Sequence, residues 1–370
     1  MNIQTVEKTV AAKTRDARPA IADCDIHPAR RSPKDLYPFL EKRWQEHLET
    51  FGSIQRMGSE TAHAYPKGQP NAARRDAFPP TGFRPGSDLP FLREQLLDGY
   101  GIEFGVLNPV GDNGQSAQNQ EFGAAYCSAI NHWQLEAWAK QEPRLKASIV
   151  VPYDNTEAAV KEIEKWAGNP YFVQVLFQSR SAEPFGQRRY WPIYEAACAA
   201  GLPIGIHAFG FGGYPITGSG WPSYYIEDMV GHAQSCMALL SSMVVEGVFE
   251  RNPKLKVVLI EGGFGWLPSL AWRLDNTWRA LKQETPHLKR LPSEYIHDHV
   301  WLTTQPMEEP EDKQHLIDII DWIGWDKLLF ASDYPHWDFD DPALALGVNV
   351  SDEKRRNFFF NNAMRLYGQA

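Results

Sequence analysis

Eight short apolar runs, separated by stretches of helical periodicity, constrain the fold of this chain more than any other feature. They occupy residues 21–27, 104–108, 147–151, 172–177, 203–207, 257–261, 300–304 and 328–333. Short apolar runs alternating with helix-length segments imply parallel strands joined by crossover helices. Eight such units fit one (β/α)8 TIM barrel, and 370 residues suffice for a single domain of that kind. A doubly wound open sheet is the alternative. It would open with a glycine-rich phosphate loop after its first strand, and Cys24-Asp25-Ile26-His27-Pro28 is not one.

The intervening segments carry helix grammar. Asp154-Asn155-Thr156-Glu157 offers a capping-box-like start, after which Ala159, Ile163 and Trp166 share one face. Gly168-Asn169-Pro170 then stops the helix. Ile193, Ala197 and Ala200 form a second stripe, with Gly201 placed just past its end. Ile130, Trp133 and Ala137 form a third. All three stripes are expected to face the sheet.

Two segments interrupt the alternation. Residues 51–90 are rich in glycine, proline and charge and read as an insertion over the barrel mouth, with a solvated linker as the alternative. Residues 208–228 interleave Gly210, Gly212, Gly213, Gly218 and Gly220 with Tyr214, Trp221, Tyr224 and Tyr225, which suits a lid around an apolar ligand. Residues 1–20 lack the apolar stretch of a signal peptide and are expected to be a flexible arm ahead of the 21–370 barrel. The net charge of −9 argues against nucleic acid or an anionic membrane surface as the main partner. No run approaches the roughly 18 apolar residues of a membrane span. Cys24, Cys127, Cys198 and Cys236 are far apart and form no C-x-x-C pair, as expected of reduced thiols in a cytoplasmic protein.

The polar residues that punctuate the strands carry the chemistry. In a (β/α)8 barrel the C-terminal strand ends converge on one mouth. Asp23, Asp25 and His27 end the first run, His207 the fifth, Glu261 the sixth and Asp333 the eighth. A charged group after a buried run is costly unless it is paired or bound to a cation. Asp25 and His27, two apart, point to the same side of a strand. With His207 and Asp333 they make a nitrogen and oxygen set suited to one divalent metal, zinc first and manganese or iron next. Glu261 reads as a ligand, a general base or a group that orients a histidine. His336, behind the turn at Tyr334-Pro335, is a further catalytic candidate. Arg180 suits a substrate carboxylate, and His232, Trp221, Trp266 and Trp337 are candidate pocket residues for an aromatic or cyclic acid.

Four segments together resemble the amidohydrolase superfamily, in the branch that includes aminocarboxymuconate semialdehyde decarboxylase and several aromatic-acid decarboxylases. They are Ile21-Ala22-Asp23-Cys24-Asp25-Ile26-His27, Leu202-Pro203-Ile204-Gly205-Ile206-His207, Gly247-Val248-Phe249-Glu250-Arg251-Asn252-Pro253-Lys254-Leu255-Lys256, and Phe330-Ala331-Ser332-Asp333-Tyr334-Pro335-His336. The resemblance spans roughly residues 20–365 and implies a distorted (β/α)8 barrel. It implies metal ligation at Asp25, where relatives usually carry histidine, and at His27, His207 and Asp333. It also implies that Asp333 accepts a proton from bound water. Relatives carry a histidine after strand six, where this chain has Glu261.

The leading expectation is a metal-dependent hydrolase acting on a small aromatic or cyclic acid, amide or lactone through activated water. The alternative is a non-oxidative decarboxylase of an aromatic or dienoic acid, in which Asp333 moves a proton to carbon. A barrel that binds ligand without catalysis is the third reading. The expected partner is a small-molecule substrate, in a homodimer or homotetramer.

Overall fold

The computed structural model describes residues 19–52, 72–115, 117–208 and 215–369. Most of the N-terminal arm, residues 53–71 of the first insertion, and Gly210, Gly212, Gly213 and Tyr214 of the second lie outside the described residues.

The eight strands form one parallel sheet in sequential order. They are β1 (Ile21–Ile26), β2 (Ile102–Leu107), β3 (Leu145–Val150), β4 (Phe172–Gln178), β5 (Ile204–His207), β6 (Val257–Ile260), β7 (Val300–Thr303) and β8 (Leu328–Leu329). Helices follow the strands: α1 (Lys42–Phe51), α2 (Gln120–Gln134), α3 (Thr156–Trp166), α4 (Trp191–Ala200), α5 (Tyr225–Val245), α6 (Leu267–Leu281), α7 (Pro292–His299) and α8 (Lys313–Ile323). The expected (β/α)8 barrel is the architecture observed. Every strand from β1 to β8 is buried over most or all of its length, as expected when helices cover the outer face and side chains fill the inner one.

Strand eight is shorter than its apolar run. After Leu329 the chain leaves the ladder but stays bonded to β1. Cys24 N donates to Phe330 O at 3.0 Å, Asp333 N to Asp25 O at 3.1 Å, and His27 N to Tyr334 O at 2.8 Å. The fully buried Asp23 adds a side-chain clamp, accepting from Ser332 N at 2.9 Å and Ser332 Oγ at 2.5 Å. The ring is therefore closed by single hydrogen bonds, which frees Asp333 to turn into the mouth.

The helix stripes mostly face inward as expected. Ala159, Ile163 and Trp166 are buried on α3, whose cap is Asn155, accepting from Ala158 N at 3.2 Å. Gly201 takes the left-handed conformation at the end of α4, φ 69°. The third stripe breaks at Ala137, which is exposed. A π-helical turn over Leu135–Ala139 shifts the phase there and brings Trp138 and Ala139 inward instead.

The glycine-rich segment ends earlier than expected, because α5 begins at Tyr225. Of the first insertion, residues 72–74 run beside the loop after β8. Arg74 N donates to Pro335 O at 3.0 Å and Trp337 N to Ala72 O at 2.8 Å. The cysteines are unpaired, with Cys24, Cys127 and Cys236 buried. Among the described residues no helix is long and apolar enough to cross a membrane.

Candidate metal centre and active-site cavity

The strand ends deliver their side chains to one point. Asp25, His27, His207 and Glu261 are buried, and each offers a ligand atom within 4.8 Å of the others. His27, Glu261, Asp333 and His336 make an overlapping group of the same kind. His207 Nε2 lies 2.9 Å from Glu261 Oε2 and 3.3 Å from Asp25 Oδ2. His27 Nε2 lies 2.7 Å from Asp333 Oδ1 and 3.4 Å from Asp25 Oδ1. His336 Nδ1 contacts Asp333 Oδ1 at 2.6 Å.

Local backbone geometry explains how two of these residues reach inward. Glu261 and Asp333 are non-glycine residues in the left-handed region, at φ 58° and 61°. Such conformations cost about 1–3 kcal/mol and persist where the surroundings hold them. Glu261 N donates to Thr303 Oγ1 at 3.0 Å. The turn behind it is pinned by Glu308, whose Oε1 accepts from Phe264 N and Gly265 N at 3.1 and 2.9 Å. Gly263, at φ 63°, belongs to that turn, and a Cβ there would lie 2.8 Å from Glu308 Oε1.

A second layer of buried polar groups orients the cluster. Asn108, at the end of β2, donates from Nδ2 to Asp25 Oδ1 at 2.8 Å. Its Oδ1 accepts from Ser148 Oγ at 2.7 Å and Gln174 Nε2 at 2.9 Å. Its carbonyl lies 2.7 Å from His27 Nδ1, which therefore carries a proton and leaves Nε2 aimed at the cluster. Gln305 Nε2 donates to Asp333 Oδ2 at 3.1 Å.

The electrostatics fit a cation site. Burial opposes ionisation of Asp25, yet neighbouring His27 and His207 hold its carboxyl below the usual range. Glu261 is likewise buried, and the His207 charge brings it down to about 2. Burial disfavours charge on His207, but Asp25 and Glu261 lift it to about 9. Asp333 is pushed well above the ordinary carboxyl range by burial and by the Glu261 charge. Burial pulls His232 and His336 down to about 4, His27 adding to the effect on His336. Protons thus sit where a cation would otherwise balance three carboxyl groups.

Asp25 Oδ2, His27 Nε2 and both ring nitrogens of His207 are buried without a well-formed hydrogen bond. Orphaned donor atoms converging from separate strands fit a divalent metal, and the nitrogen and oxygen set without thiolate suits manganese, iron or zinc.

The cluster opens onto a cavity of about 480 Å³. Of the expected substrate-binding residues, His232 and Trp337 are on its wall, as are Glu261 and His336. Trp337 Nε1 donates to Tyr225 Oη at 3.2 Å. Arg180 is off the wall, buried in an ion pair with Asp228 at 2.7 Å, and it is Asp228 that faces the cavity. Trp266 is also off the wall, its Nε1 donating to Gly262 O at 2.8 Å, where it braces the turn after β6. Trp221 is partly exposed and outside the cavity lining.

Sequence reasoning missed Asn108 and Gln305. Each is a polar residue just beyond an apolar run, the signal that found His207 and Glu261. It also missed Asp338, whose carboxyl borders the cavity and is pushed up to about 8 by burial and Asp333.

The amidohydrolase family model matches residues 22–369. The chain is similar to a gamma-resorcylate decarboxylase of Polaromonas sp. (strain JS666 / ATCC BAA-500), 28% identical over 315 residues, 77% of this chain and 92% of that protein. It is similar in fold to an amidohydrolase from Mycobacterium avium subsp. paratuberculosis K-10, with TM-score 0.71 and 23% identity over 94% of this chain and 99% of that one. A dihydroxybenzoic acid decarboxylase from Polaromonas sp. JS666, solved with bound manganese and the inhibitor 2-nitroresorcinol, has the same fold. Its TM-score is 0.62 at 20% identity, covering 94% of this chain and 97% of that one.

Proposed function

The chain belongs to the amidohydrolase family, and from that premise we propose that it is a metal-dependent, non-oxidative decarboxylase of an aromatic acid. The observation that carries the reading is the placing of the Asp333 carboxyl beside the cation site, 2.7 Å from His27 Nε2 and 2.6 Å from His336 Nδ1, where burial favours its protonated form. Replacing CO2 by hydrogen on a ring requires one proton delivered to carbon. Similarity to a gamma-resorcylate decarboxylase over 92% of that protein supports this reaction over the hydrolysis placed first from sequence.

Asp25, His27, His207 and Glu261 would hold the cation, for which manganese is the first metal to test in light of the manganese-bound relative. When bound, the cation would supply positive charge to balance an anionic substrate. Asp333 then acts as general acid toward the carbon that bears the carboxylate. The C–C bond electrons return to the ring as CO2 departs, and the carbon keeps the proton. His336, in contact with both Asp333 and the cavity, passes the next proton from solvent to Asp333. Gln305 holds the other Asp333 oxygen in place.

The test is a panel of hydroxybenzoates, amides and lactones given to manganese-loaded protein in D2O. The expected result is CO2 release and a phenol with one deuterium on the former carboxyl carbon. Asp333→Asn should lower turnover by about 10²–10⁴-fold while keeping its manganese. Hydrolysis of amides or lactones with no CO2 from any acid would overturn the reading.

A further inference from the structure

The cavity is larger than a single-ring acid requires. A dihydroxybenzoate occupies on the order of 170 Å³ at interior packing density, against about 480 Å³ available. The roughly 300 Å³ left over equals about ten waters. Away from the metal centre the wall is mixed, with Arg30, Arg84, Asp112, Asn113 and Asp228 beside apolar residues. His27, Glu261 and His336 mark the metal end, at the tips of β1 and β6 and the loop after β8. Val110 and Gly111 lie just beyond β2, Ile130 and Trp133 on α2, and Met229 on α5.

Gly111 stands at the exposed rim of this space. A Cβ built there meets no atom within 4 Å, and its backbone is not in the left-handed region. No steric or conformational demand therefore calls for glycine at that position. Beyond Trp133 the wall adjoins a cleft of about 370 Å³ that shares Ala29 and Trp133 with the cavity.

We propose that the aromatic acid taken by this cavity carries a second apolar group, a ring or a branched alkyl chain, seated on Val110, Ile130, Trp133 and Met229. The proposal rests on the aromatic-acid decarboxylase reading and narrows its substrate class. Burying such a group contributes about 25 cal/mol per Å² of apolar surface, so a phenyl substituent on the ring has room to bind as well as area to bind with.

The experiment compares salicylate with its 3-, 4-, 5- and 6-phenyl derivatives on manganese-loaded protein. Affinity is read by calorimetry and CO2 release is read in parallel. At least one phenyl isomer is expected to bind ten-fold or more tighter than salicylate. Gly111→Phe and Met229→Phe, each checked for folding by circular dichroism, are expected to collapse that ratio to below three-fold. Equal or weaker binding of every phenyl isomer overturns the proposal, and so does a ratio that survives in both folded variants. A gain in affinity without CO2 release from any acid upholds the second apolar site and overturns decarboxylation. CO2 release from salicylate without a gain does the reverse.

Discussion

Asn108 touches the metal centre from two sides, through its side chain on Asp25 and through its carbonyl on His27. Asn108→Ala keeps the carbonyl but leaves Asp25, Ser148 and Gln174 each short of a partner. Removal of such supporting groups lowers metal affinity by about 10–100-fold. Manganese titration of the variant against wild type, with folding checked by circular dichroism, should show that loss; equal affinities would mean that Asn108 does not orient the ligands. Residue by residue, the sequence disclosed the cluster wherever a charged group closed an apolar run, as at Asp25, His27, His207, Glu261 and Asp333. It did not disclose partners. Arg180 and Trp266 were legible as a cation and an aromatic near the mouth, but their neighbours, Asp228 and the backbone of Gly262, follow only from tertiary contact.

Strand order and approximate strand positions were legible because each buried run is short, apolar and bounded by turn residues. Two features escaped that logic. Ala137 faces solvent because a π turn adds a residue to the helical repeat, and no single residue announces it. Strand eight stops after two residues because β1 bonds residues 330–334 singly, a long-range effect invisible in a local window. The Asp23–Ser332 clamp belongs to this seam, and it yields a stability prediction. Ser332→Ala removes one donor from a fully buried carboxyl and a hydroxyl acceptor from Tyr334 N. The loss expected is about 1–3 kcal/mol, measured as a fall in the urea midpoint at constant slope. An unchanged midpoint would show that the backbone bonds alone close the ring.

For the whole molecule, the metal centre couples folding to pH. In metal-free protein His207 is lifted to about 9, above its unfolded value of about 6.5. Its contribution to stability is complete below about pH 6.5 and is lost as pH rises through about 9. Asp333, also raised, acts with the same sign. Manganese binding requires the His207 ligand without its proton, so it is favoured as pH rises. The increase in Tm caused by manganese should therefore grow from about pH 6 to about pH 9. An increase that shrinks over this range would contradict the proposed ligand set. The seam between β1 and β8 also bears on how the protein is made. Asp23 and Ser332 stand 309 positions apart, and the four residues that would hold the cation all lie between them in sequence. On the ribosome, Asp25 and His27 emerge long before the segment that closes over them. Until residues 330–334 arrive, Asp25 and His27 lack the backbone bonds that fix β1 in the ring, so a nascent chain stalled before β8 should hold manganese more weakly than the finished protein.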